Sequence, residues 1–232
     1  KRFSKIPLSF EPGTDYQYGL SADILGAVIE VASGMKFSDF LKKEIFIPLG
    51  MNETDFYVQN KNLPRLANVY KCQSNKDFEL FEKPNLGIQP FMNKQPSFES
   101  GGAGLCSTID DYSKFCLMLA NKGILNGKRI LQEKTVEYFT NAHLRKDLQN
   151  CFDIKMPHLC GYTYTNLFRV AIDKGTCNVI TENKEFGWDG WLGPYMSVDL
   201  KNNLVIVMTM QRTDSGTWEL TRKVKNIIYS SL

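Results

Sequence analysis

The sequence predicts an α+β fold: an antiparallel sheet flanked by helices. Three observations carry this. Apolar residues recur at helical spacing in segments as far as Thr140, strand-like runs take over from about Gly161, and an amphipathic segment closes the chain.

The elements follow in order. Leu25, Val28, Ile29 and Ala32 share one helical face, so Ala22 to Ser33 should be a helix with that face buried, ended by Gly34. Ser38 and Asp39 can start a second helix through about Glu44, and Pro48-Leu49-Gly50 closes it. From Asn52 to Ser100 the chain is polar, aromatic-rich and weakly periodic. It reads as long excursions over a core, with short strands at Phe56 to Val58 and Phe78 to Phe81. Ser107 then stands as an N-cap three residues before Asp110, and Ile109, Tyr112, Cys116 and Leu119 repeat at helical spacing, giving a third helix. A fourth covers Glu133 to Thr140. Strands are expected at Tyr162 to Val170, Leu192 to Val198 and Leu204 to Met210, the last two joined by a hairpin turn at Lys201-Asn202-Asn203. The final helix, Trp218 to Tyr229, should turn Leu220, Val224, Ile227 and Ile228 inward.

Composition bounds the function. A chain of 232 residues, 43% hydrophobic and 23% charged, can bury a substantial core. Its net charge of +3 is spread along the sequence without a basic run, so the electrostatic footprint of a nucleic-acid binder is missing. No apolar stretch approaches the roughly 20 residues that cross a bilayer, and the first residues lack the apolar core of a signal peptide. The six cysteines, Cys72, Cys106, Cys116, Cys151, Cys160 and Cys177, include no C-x-x-C pair. With only His143 and His158 beside them there is no recognisable metal-ligand spacing, and no cofactor is expected. Dispersed cysteines fit reduced, mostly buried thiols better than a disulfide framework. The Gly101-Gly102-Ala103-Gly104 run lacks both the preceding apolar strand and the following Lys-Ser or Lys-Thr of a phosphate cradle, and reads as structural.

Three stretches carry a resemblance. FEPGTDYQYGLSADILGAVIEVASG with FSDFLKKEIFIPLGMNETDFYV, then SGGAGLCSTIDDYSKFCLML, then FGWDGWLGPYMSVDLKNNLVIVMTMQ resemble, in collinear order, the serine β-lactamase and penicillin-binding-protein superfamily. The branch most similar is that of class C β-lactamases and family VIII carboxylesterases. The resemblance implies a β-lactamase/transpeptidase-like fold and assigns Tyr18, after the Pro-Gly-Thr turn, a catalytic role. In that family a serine attacks a carbonyl, and a phenolate held near a lysine ammonium can accept the serine proton at neutral pH. The plain alternative is that Tyr18 fills a turn and bonds a backbone carbonyl.

Two departures from the family pattern bear on substrate. Where the family has Tyr-x-Asn this chain has Tyr18-Gly19-Leu20, so the amide that holds a lactam side chain is replaced by Leu20, as in the esterase branch. Where the family has Lys-Thr-Gly on an edge strand, this chain has Trp188-Asp189-Gly190. Carboxylesterases of the group carry Trp-Gly-Gly there, so Asp189 is unusual. Leu20, Trp188, Asp189 and Gly190 are the implied substrate-binding residues, and the Trp191 N–H is the implied oxyanion donor, paired with the nucleophile's own N–H. On its residues alone, FGWDGW reads as an aromatic-rich strand and turn.

The family's nucleophile lies in a Ser-x-x-Lys upstream of the tyrosine. The Ser-x-x-Lys present here, Ser33-Gly34-Met35-Lys36, follows the tyrosine and ends a helix at a glycine, the wrong place for a nucleophile at a helix N-terminus. The chain therefore reads as the C-terminal portion of a single β-lactamase-like domain, incomplete at its N-terminus. Two functions stay open: a serine hydrolase of small-molecule esters or amides, or an inert scaffold of the same fold that binds a ligand or partner. An uncovered apolar face is expected, met by a second copy or by the missing N-terminal portion.

Overall fold

The computed structural model describes residues 5–74, 77–86, 88–216 and 219–232. Helix α1 (Ser21–Ser33) ends where Gly34 takes a left-handed conformation and donates its N–H to the Glu30 carbonyl, the role glycine fills at helix C-termini. Helix α2 (Phe37–Leu41) runs through a π-helical turn, Lys42–Phe46, into α3 (Ile47–Leu49), and Gly50 ends the run. The second helix thus continues past Glu44 to the expected Pro48-Leu49-Gly50 stop. The excursion beyond it holds a 3₁₀ turn, Asn60–Arg65, and a ribbon of β1 (Tyr70–Cys72) and β2 (Phe78–Leu80). The strand expected at Phe56 to Val58 does not form. Asp55 makes one isolated bridge to Cys106, and Phe56 is buried in the core.

Helix α4 (Ile109–Ala120) is capped by Thr108, whose hydroxyl accepts from the Asp111 N–H at 3.2 Å. Ser107, the expected cap, instead shares a hydrogen bond with Thr54 at 2.8 Å. A short hairpin, β3 (Ile124–Leu125) and β4 (Lys128–Arg129), leads to α5 (Glu133–Asn141) and α6 (Lys146–Lys155). Helix α6 was not expected, although Leu148, Cys151 and Phe152 fall at helical spacing on its inner face. Strands β5 (Tyr162–Thr165), β6 (Phe168–Ala171), β7 (Phe186–Asp189), β8 (Tyr195–Asp199) and β9 (Leu204–Met208) form an antiparallel sheet in sequence order. The run from Tyr162 is two strands because Asn166 and Leu167 both adopt positive φ, the backbone of a tight hairpin turn. Strand β7, which carries Trp188, lies in the middle of this five-stranded sheet and not at an edge. Helix α7 (Glu219–Tyr229) closes the chain; Trp218, where it was expected to start, lies outside the described residues.

The two faces of the sheet differ in kind. One carries Val170, Phe186, Met196 and Val198, packed in one core with Cys116, Met118 and Leu119 of α4. The register places Arg169, Gly187 and Ser197 on the other face. There α7 docks through charge. The Lys225 ammonium, 2% exposed, donates to Glu185 at 2.8 Å and to Tyr162 and Thr181 at 3.0 Å each. Arg169, 1% exposed, lies 3.5 Å from the Glu185 carboxylate, donates to the Met196 carbonyl at 3.0 Å and stacks over the Tyr195 ring. Burial alone would raise the Glu185 carboxyl; the Lys225 and Arg169 charges overcome it and hold the group at about 2 instead of 4.5.

This docking corrects two expected inner faces. On α7 the buried residues are Thr221 and Lys225, Val224 and Ile228 are half-buried, and Leu220 and Ile227 are exposed. On α1 the buried residues are Asp23 and Gly26, while Leu25, Val28 and Ala32 face outward and Ile29 is half-buried. Asp23 accepts from the Ser100 hydroxyl, and Gly26 sits so close to Phe37 that a Cβ would lie 3.3 Å from its ring. The cysteines are free thiols, but only Cys116 is buried; Cys72 and Cys160 are exposed and the others half-buried.

Replacing Glu185 by glutamine keeps the shape and removes the carboxylate shared by two buried cations. We expect Glu185→Gln to lose about 3–5 kcal/mol in urea denaturation, the usual penalty for breaking a buried pair. The folded carboxyl lies below its unfolded value, so its contribution is complete above pH 4.5 and is lost as pH falls toward 2. The wild-type chain should therefore lose stability across that window by more than the variant does; equal acid limbs would show that Glu185 is not the group involved.

Candidate active site

The tyrosine turn is built from both ends of α6. Thr14 folds back on Glu11, its N–H and hydroxyl donating to that carbonyl at 3.1 and 2.7 Å, and Gly13 supplies the positive φ the turn needs. Arg145, flanking the start of α6, donates to the Gly13 carbonyl at 2.8 Å. Lys155, the last residue of α6, reaches the Asp15 carboxylate at 2.5 Å and the Tyr16 carbonyl at 2.7 Å. These bonds divide the work of the two tyrosines. Tyr16 is buried edge-on against Phe152 and Tyr164, with ring centroids 5.0 and 5.3 Å away, and burial pushes its phenol above its ordinary range. Its hydroxyl has no hydrogen-bond partner among the described residues. Tyr18, two residues on, is 55% exposed, and its hydroxyl accepts from the Trp188 indole N–H at 3.3 Å. An anchored ring thus sets the height at which the second phenol is presented.

Trp188, at the end of β7, is the facing wall. Its ring lies 5.5 Å from Tyr18 and meets Tyr164 edge-on at 5.2 Å. Tyr164 is a member of this cluster that the sequence did not single out; alternation in Tyr162 to Thr165 marks a strand but not which end of it meets the turn. Adjacent residues of a strand point to opposite faces, so Asp189 goes where Trp188 does not. Asp189 pairs across the sheet with Tyr195, and its carboxylate lies 3.7 Å from Arg169, on the charged face under α7. The structure brings Tyr18 and Trp188 together and turns the Asp189 side chain to the buried cations.

Gly190 donates its N–H to the Pro194 carbonyl at 2.8 Å, and a Cβ there would lie 2.8 Å from the proline ring, so the turn itself requires glycine. Trp191 is fixed from three sides. Its indole donates to Asp214 at 2.7 Å, its ring meets Phe81 edge-on, and its carbonyl accepts from the Ser215 N–H at 3.0 Å. Its own N–H has no hydrogen-bond partner among the described residues. Leu20, 39% exposed, flanks the start of α1, where its carbonyl accepts from Ile24. The glycine run lies against the same helix start: a Cβ on Gly101 would fall 2.3 Å from the Ala22 carbonyl oxygen.

Ser33 does not have a nucleophile's setting. It is the last residue of α1, its hydroxyl accepts from the Met35 N–H at 3.2 Å, and Lys36 stands in extended conformation before α2. The serine and the lysine therefore share no helical turn. Among the described residues no cluster of three or more histidines, cysteines or carboxylates is placed to hold a metal ion, and no helix is long and apolar enough to cross a membrane.

Known proteins share this arrangement of elements. A lovastatin esterase of Penicillium rubens is 30% identical over 222 residues, an alignment that takes in 88% of this chain and 52% of that protein. A simvastatin synthase variant from Aspergillus terreus superposes with a TM-score of 0.84 at 21% identity, over 98% of this chain and 57% of that one. EstCE1, a hydrolase with promiscuous acyltransferase activity, superposes with a TM-score of 0.80 at 21% identity, over 97% and 59%. The chain spans about half the length of the curated relatives it matches. The family model named Beta-lactamase matches residues 1–226, and with the helix-flanked antiparallel sheet and the Tyr18 turn it places the chain in the serine β-lactamase and penicillin-binding-protein superfamily.

Proposed function

We propose that this chain is part of a serine hydrolase that cleaves small-molecule esters or amides through an acyl-enzyme, with esters preferred over β-lactams. The observation that carries the reading is the exposed Tyr18 hydroxyl, held by the Trp188 indole beside a turn whose Trp191 N–H is unpaired among the described residues. Tyr18 accepts the nucleophile's proton, and the Trp191 N–H stabilises the oxyanion. The nucleophilic serine and its lysine are contributed from outside these 232 residues. The 30% identity to an esterase supports the ester preference. Apolar residues that α1 and α7 leave exposed, among them Ile24, Val28, Val31 and Ile227, suit a surface covered by the rest of the hydrolase or by a second copy.

Leu20 and Trp188 supply the substrate preference, because a lactam carboxylate would meet them in place of an amide and a cation. Asp189 plays no part in this contact, since its carboxylate faces Arg169. The second reading, an inert scaffold that binds a ligand, is favoured by the setting of Ser33 alone.

In the intact protein, Tyr18→Phe keeps the ring on Trp188 and removes only the hydroxyl. Turnover of a p-nitrophenyl ester should fall roughly 10²-fold to 10⁴-fold, with little change in melting temperature. Unchanged turnover would remove Tyr18 from the chemistry. Comparing kcat/KM for short acyl esters with penicillins and cephalosporins on the same protein should favour the esters, and a cephalosporin preference would overturn the esterase reading. The 232-residue chain by itself should not react with a fluorophosphonate probe; stoichiometric labelling of Ser33 would show that it carries its own nucleophile. Loss of ester turnover in every form of the intact protein would favour the scaffold.

A further inference from the structure

We propose that Cys160 and Cys177 form a thiol–disulfide exchange site for low-molecular-weight disulfides, closing into an intramolecular disulfide at the base of the β5–β6 hairpin. Cys160 lies between the 3₁₀ turn Pro157–Leu159 and β5, exposed to solvent. Cys177 lies beyond β6. Hydrogen bonds bracket the two. The Gly161 carbonyl accepts from the Ile172 and Asp173 N–H groups at 2.9 and 3.1 Å, and the His158 carbonyl accepts from the Asn178 amide at 3.4 Å. Residues on both sides of Cys160 are thus tied to residues on both sides of Cys177. Between these ties a Cβ on Gly161 would fall 2.6 Å from the Cys177 sulfur, so that sulfur packs on the residue covalently next to Cys160. Consecutive Cα atoms are about 3.8 Å apart, so the Cys177 sulfur packs one peptide unit from the Cys160 Cα, and a disulfide needs the two cysteine Cα atoms about 4.4–6.8 Å apart.

The setting also gives each thiol its place in the exchange. The Cys177 thiol donates to the Asp173 carbonyl at 3.4 Å, and burial is the main reason its thiol is pushed up to about 11. The exposed Cys160 is therefore the entering thiol and Cys177 the resolving one. The exposure of Cys160 gives a small disulfide room to approach. The Cys160 thiolate attacks one sulfur of the disulfide; the S–S bond breaks, and the leaving thiolate takes a proton from solvent. Cys177 then gives its proton to solvent, and its thiolate attacks the Cys160 sulfur, expelling the second small thiolate. Two protein thiols are oxidised and one small disulfide is reduced to two thiols.

The closed ring contains the whole β5–β6 hairpin, with Arg169 and Tyr162 of the buried charge cluster and Tyr164 beside Trp188. The bond would staple the edge of the sheet that supports the site. Incubating the folded protein with oxidised glutathione, digesting it without reduction and mapping the peptides by mass tests this. The expected result is a peptide pair joined through Cys160 and Cys177, two fewer thiols titratable in the native state, and a higher melting temperature that reverts with dithiothreitol. Cys177→Ser should trap a glutathione mixed disulfide at Cys160, and Cys160→Ser should abolish the cross-link. Mixed disulfides on both wild-type cysteines with no link between them, an unmodified Cys160, or a link from either residue to Cys151 would each overturn the proposal.

Discussion

Glu185 has no exposure to solvent and lies between two cations that also have almost none, Lys225 from the last helix and Arg169 from β6. Each of the three would be costly to bury alone, and together with Tyr162, Thr181 and Ser197 they supply one another's partners. Such a cluster adds little net stability over an apolar core of the same shape. What it imposes is a single arrangement, because moving any member leaves a charge buried without its counterpart. Helix α7 is therefore fixed in register and rotation on the sheet, and Leu220 and Ile227 are turned away from it.

The site depends on that arrangement through β7. The strand that carries Glu185's neighbour Phe186 into the apolar core also carries Trp188 to the Tyr18 turn, so the charged face, the core and the site share one short piece of backbone. The turn is held from the other side by α6, through Arg145, Lys155 and the Tyr16 ring packed on Phe152. Two rigid supports therefore meet at the contact between Tyr18 and Trp188. The proton transfer proposed for Tyr18 would need such support, because misplacement by about 1 Å can cost on the order of 100-fold in rate.

Much of this was legible in the sequence where local chemistry decides. Gly34 and Gly50 end helices as read, α5 begins at Glu133, and Asn203 takes the positive φ of a hairpin turn between β8 and β9. The collinear motifs carried the superfamily. The stripe on α4 does put Cys116 and Leu119 in the core; what failed was the inference from an apolar stripe to the buried face on α1 and α7. Leu25, Val28, Leu220 and Ile227 have helical periodicity, but which face of α1 or α7 meets the sheet or a loop is settled by Asp23 and Lys225, through partners far away in sequence. Helix α6 was missed although Leu148, Cys151 and Phe152 fall at helical spacing, because that apolar run is short and its ties to the tyrosine turn include single polar side chains, Arg145 and Lys155.

Asp189 shows how far a motif can mislead when the pleat is ignored. Read along the chain, Trp188-Asp189-Gly190 is one recognition element, and a carboxylate inside it suggests repulsion of an anionic substrate. In the strand, the tryptophan and the aspartate belong to opposite faces. Arg169, fully buried, spends one guanidinium nitrogen on the Met196 carbonyl and leaves the other without a hydrogen-bond partner, 3.7 Å from Asp189. A small residue at position 189 would leave that nitrogen farther from any countercharge, since Glu185 is already shared with Lys225. The aspartate thus answers to the buried cation behind the strand, and the same β7 residues that set the site's aromatic wall also help balance the charge on which α7 is docked.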